Sequence, residues 1–255
     1  MQSVESTVEA ATHVLATRFG GTPELSDPQD LGGSGSSMVL RCRISAEPFL
    51  QERTVVIKQL PRESESAGSD GNGFGPDALG MLREVVAYQY TNTLAESVRP
   101  GPVLLAYDIE QRLLVLSDAG DGTNFTDVLT LHDSKSRTGA LRKLGRSLGK
   151  MHAATFGGAD SYTTLMRRQC QRHQISPEAI EESDIDVGEL IQSGVALMTS
   201  NGLTIDPVVK RYATQAAERQ SKSEFQVFTP FDLAPDNVML TQNIVLLDYE
   251  WAGFR

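Results

Sequence analysis

Residues 225–250 read FQVFTPFDLAPDNVMLTQNIVLLDYE, and both the fold and the chemistry turn on this stretch. The segments 225–240 and 243–253 read as two short strands joined by the polar turn Thr241-Gln242-Asn243. A hairpin sets the loop before its first strand beside the end of its second. Asp232 precedes Asn237 by five positions, and Asp248 follows Asn237 by eleven, at the end of the apolar run Ile244-Val245-Leu246-Leu247. Taken alone, DLAPDN is a proline-containing turn closed by an Asx hydrogen bond, and Asp248 is an ordinary strand-ending acid. Joined through a hairpin, Asn237 and Asp248 become two oxygen donors at neighbouring ends. That set suits Mg²⁺, which takes few protein ligands and keeps the rest of its shell for waters and phosphate oxygens.

Upstream, Lys58 lies inside the apolar run Val55-Val56-Ile57. An ammonium there is costly unless it points into a polar cleft or pairs with an acid. The next helix, expected from Met81 to about Ser97, carries Leu82, Val85, Val86 and Tyr90 on one face with Glu84 at its edge, the natural partner for Lys58. The loop Gly32-Gly33-Ser34-Gly35-Ser36-Ser37 offers N–H and hydroxyl donors to an anion, though it matches neither Walker A nor GxGxxG. Around these lie an N-terminal amphipathic helix (Val4, Val8, Ala11, Val14, Leu15) expected to pack on a sheet, and a Gly- and Ser-rich loop over 62–80. Two strands within 102–120 are separated by the turn Asp108 to Arg112. A long helix with Leu141, Leu144, Leu148 and Met151 on one face follows, then further helices over 176–221. His152 follows that apolar stripe and reads as a support behind the reactive loop rather than a reacting group.

A chain of 255 residues suits one or two domains, and 40% hydrophobic with 22% charged residues marks a folded globular protein. The net charge of −10 argues against nucleic acid and anionic membrane surfaces as partners, and a cationic ligand is compatible with it. Cys42 and Cys170 are isolated, which predicts neither a disulfide framework nor a zinc site and points to the cytoplasm. No signal peptide or membrane span is expected. Oligomeric state has no signature in the sequence.

Phosphoryl transfer from ATP needs donors around the phosphates, a lysine on them, metal-binding oxygens and a base near the acceptor hydroxyl. Each has a candidate here, in workable order. The Gly/Ser loop, Val56-Ile57-Lys58, Arg83-Glu84, Leu114 to Asp118, Leu148 to His152, Asp232-Leu233-x-Pro235-x-Asn237 and Asp248-Tyr249-Glu250 together resemble the aminoglycoside phosphotransferase and choline kinase superfamily. The resemblance spans about residues 24–255. It implies an α+β, bilobal, protein-kinase-like fold: an antiparallel N-terminal nucleotide-binding lobe over 1–117, and a mainly helical, incomplete C-terminal catalytic lobe over 118–255. It also implies an ATP- and Mg²⁺-dependent kinase for a small-molecule hydroxyl. Asp232 would be the base, and Asn237 and Asp248 the metal ligands. Lys58, oriented by Glu84, would hold the α and β phosphates, Gly33, Ser34, Gly35 and Ser36 would cradle phosphate, and Ser117, Asp118 and Ala119 would contact adenine.

Two features depart from the pattern. Pro230-Phe231 stands where the family commonly has His-Gly, and the chain stops seven residues after Asp248, where relatives continue through several helices. A truncated lobe would leave apolar faces of helices 139–156 and 176–221 uncovered. These departures motivate the rival expectation of a nucleotide-binding, catalytically weak regulator.

Overall fold

The computed structural model describes residues 3–33, 37–45, 51–60, 76–182, 187–220 and 226–255. Helix α1 (Val4–Phe19) starts on a Ser3 capping box and ends where Gly20 turns out at φ +77°. It leads into β1 (Leu25–Asp30), β2 (Met38–Ile44) and β3 (Thr54–Gln59), then α2 (Pro76–Thr91), β4 (Leu104–Asp108) and β5 (Leu113–Ser117). These strands form one antiparallel sheet in the order β1-β2-β3-β5-β4.

The sheet separates two cores. On one face Val55 and Ile57 of β3 and Leu113 and Val115 of β5 pack under α1 with Ala11, Val14 and Leu15. On the other, Leu114 and Leu116 of β5 join Leu82, Val85 and Val86 of α2 and most of the helical remainder. Because side chains alternate along a strand, Val56 and Lys58 must face the second side once Val55 and Ile57 face α1. The parity of β3 therefore delivers Lys58 to α2.

Beyond β5 come β6 (Thr123–Asn124), α3 (Phe125–Thr130), α4 (Ser134–Thr155), α5 (Ala159–His173), α6 (Pro177–Glu182), α7 (Val187–Ser200) and α8 (Pro207–Gln220). Four short strands follow: β7 (Phe228–Thr229), β8 (Val238–Leu240), β9 (Ile244–Leu246) and β10 (Gly253–Phe254). β8 and β9 form the expected hairpin, closed by Thr241 N–H donating to Asn243 O at 2.9 Å. With β6 they make a small second sheet, while β7 pairs with β10. The fold is α+β and bilobal, a sheet-rich part joined to a mostly helical one. Among the described residues no helix is long and apolar enough to cross a membrane.

Four expectations need correction. Strand β1 was not anticipated: its sequence LSDPQD is exposed, carries a proline and is broken by an irregularity between Ser26 and Gln29, all marks of an edge strand without apolar alternation. Helix α2 begins at Pro76, not Met81, as suits a proline in a first helical turn, and ends at Thr91; the loop expected over 62–75 lies outside the described residues. The single strand expected over 225–240 is split, with Pro230 and Pro235 separating β7 from β8. Leu141 is 50% exposed, and the buried stripe of α4 runs through Ala140, Leu144, Leu148 and Met151 instead. Helices α7 and α8 pack on each other and leave Leu190, Leu197, Val209 and Tyr212 exposed.

Candidate active site

A cleft of about 640 Å³ opens between the five-stranded sheet and the β8–β9 hairpin. Its roof is Val39 and Val56, its floor includes Met239 and Leu247, and Leu116 to Gly122 close one side. Lys58, Glu84, Asn237 and Asp248 all line the same space, and so do Arg41, Asp118 and Asp121.

Lys58 Nζ donates to Glu84 at 3.0 and 2.8 Å and to Asp248 Oδ1 at 2.7 Å. The Glu84 side chain is wholly buried and that of Lys58 is 13% exposed. Burial pulls the Lys58 pKa down, but the charges of Glu84 and Asp248 outweigh it and hold the ammonium above its ordinary value. Glu84 is pushed up by burial, against which the Lys58 charge works. Burial, and then the charge of Asp248, raises Glu250 as well. Glu84 was expected at the edge of its helix face; in the structure it lies inside the core-facing surface of α2.

Asp248 sits at φ +59°, a left-handed conformation that Asp tolerates better than most residues, so its carboxylate and the next side chain splay apart. The carboxylate goes to Lys58, and Tyr249 stacks on Tyr88, ring centroids 4.7 Å apart. Tyr88 lies one helical turn after Glu84 and also lines the cleft. The Tyr249 hydroxyl is buried without a hydrogen-bond partner among the described residues, and a Cβ on Gly101 would lie 2.4 Å from it. Tyr249→Phe removes an orphaned polar atom, so thermal unfolding is expected to show stability unchanged or raised by about 1 kcal/mol. A loss of that size would mean the hydroxyl is bonded.

Asn237 Nδ2 donates to Asp232 Oδ2 at 3.2 Å, so its amide oxygen faces the opposite way and is available to a cation. Leu247 N–H donates to Asn237 O at 2.9 Å, tying the Asn237 turn to the residue before Asp248. Among the described residues no cluster of three or more His, Cys, Asp or Glu suits a metal. One amide oxygen and one carboxylate nevertheless fit Mg²⁺, which needs few protein oxygens.

Asp232 itself does not line the cleft. Its carboxylate accepts from Asn237 and from Ala234 N–H at 3.2 Å. The backbone entering it is tight: Asp232 N–H donates to Pro230 O at 2.9 Å across Phe231, whose φ is +68°. This three-residue turn is rare for a bulky residue and costs on the order of 1–3 kcal/mol. Phe231 thus takes a conformation that glycine adopts freely, and the Arg255 guanidinium lies over its ring at 5.5 Å.

Of the other expected residues, Gly33 lines the cleft, where a Cβ would lie 2.4 Å from Ser37 O; Ser34, Gly35 and Ser36 lie outside the described residues. Ser117, Asp118 and Ala119 line the cleft, but Ser117 N–H donates to Val103 O and the Ser117 hydroxyl oxygen accepts Val103 N–H, both at 2.8 Å. His152 does not line it. Sequence reasoning missed Arg41, whose Nε lies 2.9 Å from Asp118 Oδ2 and whose Nη1 donates to Asp121 at 2.7 Å. Only an unusual arginine in the apolar strand MVLRCRI hinted at it.

No family model matches the sequence, and no curated protein matches it either. Solved structures do. The streptomycin–ATP–APH(2'')-IIa ternary complex aligns over 100% of this chain and 74% of its own, at 10% identity and TM-score 0.51. The gentamicin–APH(2'')-IIa complex aligns over 100% and 73%, at 11% identity and TM-score 0.50. With a five-stranded antiparallel sheet over a mostly helical part and the Lys58 cleft between them, the chain shares the bilobal, protein-kinase-like fold of these two solved structures.

Proposed function

We propose that this protein is an ATP- and Mg²⁺-dependent phosphotransferase acting on a hydroxyl of a small polar molecule, with residues 1–117 as its nucleotide-binding lobe and 118–255 contributing the catalytic lobe. The observation that carries the reading is Lys58, held between Glu84 and Asp248 in a cleft that also contains Asn237. Lys58 would leave Asp248 for the α and β phosphates while Glu84 keeps it oriented. Asn237 and Asp248 would hold Mg²⁺, which when bound supplies positive charge against the phosphate oxygens. Asp232, steadied by Asn237 and Ala234, would orient the acceptor hydroxyl and accept its proton. Catalysis of this kind is mostly positioning and charge neutralisation. The solved neighbours carry streptomycin, gentamicin and ATP, which supports a small-molecule acceptor and a nucleotide donor.

The test offers labelled ATP and Mg²⁺ to a panel of aminoglycosides, amino alcohols and sugars. Phosphate transfer by the wild type, with a loss of about 10²-fold or more in Asp248→Ala, is the expected result. Normal turnover by Asp248→Ala would sink the assignment.

A further inference from the structure

Two walls of the cleft are tied together by side chains from distant parts of the chain. Arg41, on the roof strand β2, reaches across the mouth to the segment 118–121: Nε lies 2.9 Å from Asp118 Oδ2, Nη2 donates to Asp118 Oδ1 at 3.0 Å, and Nη1 donates to Asp121 Oδ1 at 2.7 Å. The Arg41 and Asp118 side chains are 19% and 10% exposed, whereas Asp121 is 95% exposed. Asp118 Oδ1 also accepts Gly120 N–H at 2.9 Å, so the same carboxylate shapes the turn it belongs to. Below, that turn is seated on the floor: a Cβ on Gly122 would lie 2.6 Å from Met239 Cγ and 3.0 Å from Leu240 O. Segment 118–122 therefore touches the floor through backbone and the roof through Arg41.

We infer that Arg41 is a positioning residue for the nucleotide, a latch that fixes the spacing between roof and floor beside Val39, Val56 and Met239, where a base would lie. The inference rests on the nucleotide-binding reading above. Nε is near Asp118 Oδ2 without making a hydrogen bond, so the planar guanidinium holds one oxygen of Asp118 and one of Asp121; two bonds in fixed directions set distance and angle together, which a lysine ammonium does not do. Asp118, little exposed, carries most of the latch. Asp121, in solvent, adds little. Breaking the latch lets Val39 and Val56 move away from Met239 without touching Lys58, Glu84, Asn237 or Asp248. Nucleotide binding weakens uniformly in ground and transition states, so KM rises and kcat holds.

Calorimetric titration with ADP, well below the melting temperature of each variant, tests this. Arg41→Gln and Asp118→Asn are each expected to weaken ADP binding about tenfold, as loss of a charged hydrogen bond does. Arg41→Lys should restore little of it, and Asp121→Ala should cost about twofold. The double variant Arg41→Gln/Asp118→Asn should lose no more than Arg41→Gln alone, since the Arg41 change already removes the Asp118 pairing. A folded Arg41→Gln protein with wild-type ADP affinity, or losses that add in the double variant, overturns the latch. A wild-type protein that fails to bind ADP overturns the nucleotide reading and the latch with it. Wild-type binding with unaffected variants overturns the latch alone.

Discussion

Replacing Lys58 with methionine is expected to lower the unfolding free energy by about 3–5 kcal/mol near neutral pH, because it strands a fully buried carboxylate. Glu84 has no exposure to water, and burial already pushes it above the ordinary glutamate range with the ammonium in place. Without Lys58 that shift grows. A carboxyl whose folded pKa is raised stabilises most at pH below its unfolded value, and the stabilisation is lost as pH rises through the folded value. The Lys58→Met deficit should therefore shrink toward pH 4–5 and widen above it. Lys58 itself stays charged throughout, since its pKa is raised, and its charge works against the Glu84 shift, so the wild type should show a shallower slope than the variant. Urea unfolding across that range measures both. Adding Glu84→Gln should return much of the stability, because it removes the stranded charge. A loss that is the same at every pH, with no recovery in the double variant, would show that Lys58 contributes packing rather than charge.

Asp232→Asn is expected to lower phosphate transfer about 10²- to 10⁴-fold, the range for loss of a general base, while ADP affinity changes little. The separation follows from geometry: Asp232 lies outside the cleft lining, and its carboxylate is held by the Asn237 side chain and Ala234 N–H. An asparagine keeps one of the two acceptor oxygens, for Asn237 Nδ2 or for Ala234 N–H, so the turn should weaken without opening and the larger loss should be chemical. Single-turnover phosphate transfer and ADP titration on the same preparation decide this. Undiminished transfer would remove Asp232 from the mechanism, whatever the rest of the site does.

Much of this site was legible one residue type at a time. A lysine that ends a β-branched run has to find an acid, and the only face left to it by the alternation of β3 is the one toward α2, where Glu84 sits a turn before Tyr88. The hairpin that brings Asn237 near Asp248 was legible because Thr241-Gln242-Asn243 is a turn between apolar runs. Edge strand β1 was not, because an edge is defined by the neighbour it lacks and its polar sequence reads as loop. The early start of α2 was hidden for a similar reason: a proline marks a helix start only when the chain beyond it packs.

By itself, the sequence determined the period of α1 and α2, the burial of the α2 face, the order of the acids and lysine along the chain, and the hairpin joining two of them. These depend on residues a few positions apart, whose spacing the backbone enforces. Tertiary structure alone decided that Lys58 meets Asp248 across 190 positions, that Arg41 meets Asp118 across 77, and that Tyr249 stacks on Tyr88. It also decided that Asp248 and Phe231 take positive φ. Such contacts depend on how packed elements converge, and neither local spacing nor propensity carries that information.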